Sequence, residues 1–229
     1  MLNVSKAIII KIILKNKLLI LGSGGHGRVV ADVAEKTKLF HDISFLDNNF
    51  LNIDSSKSIN SKKVIGEISK QNIEKYSSDF SHAFVGIGDN KIRIKWLKVI
   101  EKMNFQIPTI IDPTAEISKY ATLDKGSFIN TNVVIQCNVK IQFGSILNTS
   151  CTIDHDSIIG EGTHISPGVN VAGNVNIGKF CWIGIGSKII QNIHIGDNVT
   201  VGGGSLVLKD VPKNLKVFGS PINVFKEKE

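Results

Sequence analysis

The chain has 229 residues, a formal net charge of +7, 42% hydrophobic residues and 21% charged ones. That length accommodates two domains, and that balance belongs to a folded globular chain, which excludes a disordered one. Basic residues do not cluster with aromatics beyond the N-terminal lysines, which speaks against a nucleic-acid partner and leaves an attraction for phosphorylated ligands.

Residues 1–16 form an N-terminal extension, apolar from Ala7 to Leu14 but with Lys11 inside the run. It is too short to span a bilayer and shows no small-residue cleavage site, so no stable membrane insertion is expected. A strand-like arm, a start codon placed too early and a surface-binding segment are its three readings.

An α/β domain is expected over 17–108. Lys17 to Leu21 predicts a strand, Gly22-Ser23-Gly24-Gly25-His26-Gly27 a turn, and Val29, Val30, Val33 and Ala34 one face of a helix. Strand, glycine turn and helix together cradle phosphate, because glycine admits the ligand to the backbone and the helix start offers free N–H groups. A second strand, Ile43 to Leu46, delivers Asp47 twenty residues after Gly27, the spacing of the acid that binds a ribose hydroxyl in dinucleotide folds. Residues 50–63 read as a polar surface loop. Val64-Ile65-Gly66, a short helix from Glu67, a strand from Ala83 to Ile87 and a helix over 91–103, with Trp96, Leu97, Ile100 and Met103 inward, complete the domain. It has too few strands for a full dinucleotide fold, which favours a mononucleotide or nucleotide-sugar ligand. Gly86-Ile87-Gly88-Asp89-Asn90 belongs on the same rim as the glycine turn, with Asp89 or Asn90 also available as a helix cap.

From Ile111 to Val207 an aliphatic residue returns at every sixth position, seventeen times, and a small or β-branched residue follows each by four places as far as Ser205. Neither a helix nor a simple strand has a period of six. Hexapeptide repeats build a parallel β-helix in which each hexad forms one short face of a triangular prism, so residues eighteen apart stack at about 4.8 Å. The β-helix is expected over 109–208, entered at Asp112-Pro113, with a tail at 209–229. A prism serving only as a spacer or binding face is the bland alternative. Cys151 and Cys181 fall in the small interior slot and read as packed thiols in a reducing compartment.

The chemically unusual segment of the repeat runs from Asn148 to Ser157, followed by His164 and Ala172-Gly173-Asn174. His155 takes the third place of its hexad, which points outward, between Asp154 and Asp156, so it is poised as a base. A plain surface histidine is the competing reading. Eighteen residues on lies Gly173, whose N–H could face a reacting carbonyl; eighteen back lies Cys137, a rival nucleophile. His164 is half a coil from His155 and therefore on the opposite side of the prism. One site using both histidines requires two subunits, most simply in a trimer. His194 reads as surface.

The glycine turn at 22–27, Phe45-Leu46-Asp47, Gly88-Asp89-Asn90 with Arg93, the 147–176 stretch and Gly219-Ser220-Pro221 together resemble a known family. It is the sialic acid O-acetyltransferase and UDP-4-amino-sugar N-acetyltransferase family, in which a small nucleotide-sugar-binding α/β domain precedes a left-handed β-helix. The resemblance runs from 17 to 221. It implies a cytoplasmic homotrimer that uses acetyl-CoA, without a metal, to acetylate the amine of a nucleotide-linked 4-amino-deoxy sugar for surface glycan biosynthesis. It assigns His155 as general base and Asp156 as its supporting acid. His164, Gly173, Gly184, Gly202 and Pro221 match acetyl-CoA contacts, and Gly24, Gly25, His26, Asp47, Asn48 and Gly88 match nucleotide-sugar contacts. Asn48 departs from the second aspartate of some relatives, and Ile222 from a small residue, with an altered CoA adenine pocket as the expected effect. O-acetylation of a sialic-type sugar and non-catalytic nucleotide-sugar binding are the alternatives. A zinc hydrolyase would need three convergent histidines, and 155, 164 and 194 lack that clustering.

Overall fold

The computed structural model describes residues 16–50, 61–103 and 105–227. The N-terminal extension up to residue 15 and residues 51–60 of the polar loop lie outside them. Two compact units meet after Pro108, Met1–Pro108 and Thr109–Glu229.

The first unit is built on a four-stranded parallel sheet in the order β3-β2-β1-β4, from β1 (Lys17–Leu21), β2 (Asp42–Leu46), β3 (Lys63–Gly66) and β4 (His82–Val85). Leu18, Leu19, Ile20 and Leu21 are all fully buried, as a central parallel strand covered on both faces requires. Helix α1 (Gly25–Lys36) turns Val30, Ala31, Val33 and Ala34 inward, α2 (Lys70–Lys75) is capped by Ser69, and α3 (Asn90–Lys102) by Asp89, whose Oδ1 accepts from the Ile92 N–H at 2.8 Å. The buried face of α3 comprises Arg93, Ile94, Leu97 and Ile100, while Trp96 and Met103 are only half-buried. Arg93 points inward because its guanidinium has partners there, donating to the carbonyls of Ile87 and Gly88 at 3.2 and 2.8 Å and to Asn90 Oδ1 at 2.9 Å.

The second unit contains seventeen two-residue strands, β5 (Ile110–Ile111) to β21 (Leu206–Val207), one for each aliphatic hexad position. Each pairs in parallel with the strand eighteen residues away, as in Ile146↔His164↔Trp182, giving three sheets of six, six and five strands, the first of which the tail extends to eight. This is a parallel β-helix. A hairpin of β22 (Leu215–Gly219) and β23 (Ile222–Glu227) joins the eight-stranded sheet through β20 (Thr200–Val201). Hydroxyls in the small slots are fully buried and satisfied: Ser145 donates to Gly160 O at 3.0 Å, Thr163 to Gly178 O at 2.7 Å and Ser187 to Gly202 O at 2.9 Å. Cys181 donates likewise to Gly196 O, and burial pushes the Cys151 thiol up to about 12, so both are packing groups.

Corners need a left-handed backbone, which asparagine tolerates better than most residues. Asn132, Asn138, Asn174, Asn192 and Asn198 accordingly sit at φ between 55° and 62°, and Asp156 takes the same conformation at 59°.

Candidate active site

His155 lies in the turn between β12 (Thr152–Ile153) of the six-stranded sheet and β13 (Ile158–Ile159) of the five-stranded one, on a corner of the prism. Its ring is half exposed, and its Nδ1 is 2.9 Å from Asp156 Oδ2. An ionised carboxylate only accepts, so the proton sits on Nδ1 and Nε2 carries the free lone pair. The hydrogen bond to Asp156 raises the imidazole pKa above its ordinary value, aided by the charges of Asp154 and Asp156. Asp156 is held in turn from the coil below, where Asn138 Nδ2 donates to its Oδ1 at 3.0 Å.

Gly173 lies against the imidazole. A Cβ there would stand 2.5 Å from His155 Cε1 and 2.6 Å from Nε2, so no side chain fits without moving the ring. Its backbone carbonyl is used by Asn192 N, while its N–H donates to no described residue. The corner separates two grooves. One, of about 520 Å³, crosses the six-stranded face past Thr152, Asp154, Asn170, Ala172 and Lys188; the other, of about 410 Å³, runs past Tyr120, Thr122, Asn138, Lys140 and Asp156. Cys137 is exposed one coil below His155, and its carbonyl receives the Asp156 N–H at 3.1 Å.

The structure does not bring His164 to His155 within one chain. His164 belongs to the eight-stranded sheet, is buried, and packs its ring 4.3 Å from that of Trp182. Asn148 Oδ1 already accepts from Asn130 Nδ2 and Thr149 N, so its NH2 group is the one that faces His164 Nε2 at 3.3 Å. Gly184 and Gly202 share that side, where a Cβ on Gly184 would meet Gly203 N at 2.5 Å and one on Gly202 would meet the Phe218 Cβ at 2.8 Å. Gly184 is glycine because the next coil approaches closely, and Gly202 because the tail strand β22 does. Pro221 is exposed in the turn of the tail hairpin. The Ile222 side chain is 4% exposed and packs in the apolar core of the prism, which gives its bulk a structural use.

In the first unit the glycines divide into two classes. Gly27 is bound to its place by the fold, since a Cβ would strike Gly22 O, and a Cβ on Gly86 would likewise stand 2.7 Å from Gly27 Cα. Gly24, Gly25 and Gly88 have open space at the Cβ position and no positive φ, so the fold itself gives no reason for glycine there. All three stand beyond the carboxyl ends of β1 and β4, where open α/β sheets bind ligands. His26, half-buried beside them, is held down to about 3 by burial and by the Arg93 charge, so it is a neutral imidazole at physiological pH. Asp47 spends its carboxylate on the loop: Oδ2 accepts from both the N–H and the hydroxyl of Ser23 at 2.7 Å, and Oδ1 from Asn49 N at 2.9 Å. Desolvation would raise its pKa, but these bonds from Ser23 and Asn49 prevail and hold it below the usual carboxylate value. Asn48 is exposed in the following turn.

Among the described residues no group of three or more His, Cys, Asp or Glu could hold a metal ion, and no helix is long and apolar enough to cross a membrane. The family model for the PglD N-terminal domain matches residues 17–100, and that for the bacterial transferase hexapeptide (six repeats) matches 174–209. The acetyltransferase domain of PglB from Neisseria gonorrhoeae, solved with acetyl coenzyme A, is 32% identical, with 91% of this chain and 98% of that one covered and a TM-score of 0.85. PerB from Caulobacter crescentus, solved with CoA and GDP-perosamine, is 27% identical over 92% of this chain and 97% of that one, with a TM-score of 0.83. WeeI from Acinetobacter baumannii shares the fold at 22% identity, 91% and 99% coverage and a TM-score of 0.80. No curated protein matches.

Proposed function

The chain belongs to the acetyl-CoA-dependent sugar acetyltransferases built on a left-handed hexapeptide β-helix, and from that premise we propose that it acetylates the amine of a nucleotide-linked 4-amino-deoxy sugar for surface glycan biosynthesis. The observation that carries the reading is the His155 ring, tied to Asp156 through Nδ1 and lying on Gly173 with Nε2 free to take a proton. A related protein from Caulobacter crescentus is a perosamine N-acetyltransferase solved with CoA and GDP-perosamine, which favours nitrogen over oxygen as the acceptor.

His155 Nε2 removes a proton from the sugar amine as its lone pair attacks the thioester carbonyl carbon. The new oxyanion receives the Gly173 N–H. When the tetrahedral intermediate collapses, the C–S bond breaks, and CoA leaves as the thiol with the proton from the imidazolium. One proton passes from nitrogen to sulfur through one base, and no covalent enzyme intermediate is needed. Asp156 keeps Nδ1 protonated and stabilises the transient imidazolium.

In this scheme Gly24, Gly25, His26 and Gly88 receive the nucleotide sugar, with Asp47 and Asn48 shaping the same rim. His164, Gly184, Gly202 and Pro221, on a different side of the prism from His155, serve acetyl-CoA from the neighbouring protomer of a homotrimer. Dependence on acetyl-CoA and the three free cysteines support a reducing, cytoplasmic setting.

The test is to incubate the protein with acetyl-CoA and a panel of UDP-, dTDP-, GDP- and CMP-linked sugars, with and without a free 4-amino group, following thiol release. Turnover confined to 4-amino sugars is expected. Turnover only with a sialic-type sugar moves the reaction to oxygen, and silence across the panel leaves nucleotide-sugar binding without catalysis.

A further inference from the structure

We propose that Asn138 is a positioning residue of the reaction, its amide fixing the plane of the Asp156 carboxylate so that one oxygen stays on the base. The inference rests on His155 being the general base, as read above. Residues 138, 156, 174 and 192 occupy one corner in four successive coils, all with left-handed backbone. Where two amides meet in this column they form an ordinary rung: Asn174 Nδ2 donates to Asn192 Oδ1 at 2.8 Å.

Asp156 is the one acid among these four, and it changes what a rung can do. An amide in its place would have one oxygen and one NH2 group; the carboxylate has two acceptors and no donor. Asn138 occupies Oδ1, which leaves Oδ2 directed at His155 Nδ1. Nor does the backbone demand an amide at 138, because glycine fills equivalent left-handed corners at Gly126, Gly144, Gly162, Gly168, Gly186 and Gly204. The Asn138 bond is also the largest of the influences that hold Asp156 below the usual carboxylate pKa, ahead of the bond from His155. The titratable groups facing His155 are Asp154 and Asp156 on its own turn; the coil below offers the turn the Cys137 carbonyl, which accepts from Asp156 N–H, and the coil above presents Gly173 and Asn174, which are neutral.

Two variants with opposite expected effects test the role. Asn138→Gly keeps the left-handed corner and deletes the amide, and Asn138→Asp keeps the shape but can no longer donate to Asp156. His155 is followed directly by the NMR titration of its imidazole in the full-length protein, alongside kcat and the KM for acetyl-CoA. In Asn138→Gly, His155 should titrate at lower pH than in the parent and kcat should fall about 10- to 100-fold with KM unchanged, the cost of a misplaced catalytic group. In Asn138→Asp the added negative charge should move the His155 titration to higher pH. An unmoved titration in both variants overturns the proposal. Full activity in His155→Ala overturns the base itself, and with it any catalytic role for Asn138, whatever the titrations show.

Discussion

His155 combines a lone pair at Nε2 with a proton tied down at Nδ1, and the two halves of that arrangement give separate predictions. Replacing it with alanine should lower kcat/KM by about 10² to 10⁴, the usual contribution of a positioned general base. Its raised pKa carries a sign: the base works only when deprotonated, so kcat/KM should fall on acidification from a higher pH than an unperturbed imidazole would give, with the acid limb displaced upward. Gly173→Ala should lower kcat by about 10²-fold while leaving the melting temperature nearly unchanged, because the new methyl meets the imidazole and the backbone needs no positive φ there. His155, Asp156 and Gly173 were legible because a period of eighteen converts sequence distance into contact. The same arithmetic counted back from His155 leads to Cys137, whereas the partner that matters lies under Asp156. Periodicity gives neighbours, but only side-chain geometry shows which neighbour is bonded.

The strand-turn-helix element of the first unit shows a different limit. Its glycines look alike in sequence and differ in what they do. Gly27→Ala should destabilise the unit by about 1–3 kcal/mol through overpacking against Gly22, measured by urea unfolding. Gly24→Ala and Gly88→Ala should leave that unfolding curve in place and raise the KM for the nucleotide sugar. Strand and helix positions were legible from hydrophobic period, and of the two caps the sequence offered, Asp89 or Asn90, the structure uses Asp89. The occupation of Asp47 by Ser23 and the inward turn of Arg93 were not, since both depend on polar groups of a loop finding partners inside the fold. His26 adds a pH dependence at this scale. Its native pKa is about 3 against an ordinary 6.5, so between those values the unfolded chain binds a proton that the native unit refuses. Stability should therefore fall as pH drops below about 6.5, read at Trp96 in a Trp182→Phe background.

At the scale of the molecule, the separation of His155 and His164 onto different sides of one prism predicts a homotrimer by light scattering, with activity lost on dissociation. Every hexad aliphatic from Ile111 to Val207 found its strand, so the β-helix was fully legible; the destination of Ile222 was not, because a tail outside the repeat carries no period to read. The regular spacing also makes the prism modular, since each coil touches only the coils before and after it. A second copy of residues 190–207 spliced in after Val207 would add one whole turn and return the hairpin to the eight-stranded face, with Ile222 still under cover. A second copy of 202–207 alone would rotate the hairpin by a third of a turn, strip β22 from β20 and leave the end of the prism open to water. The longer insertion should melt at or above the parent temperature and the shorter one well below it, so that in this architecture three times as much foreign sequence does less harm.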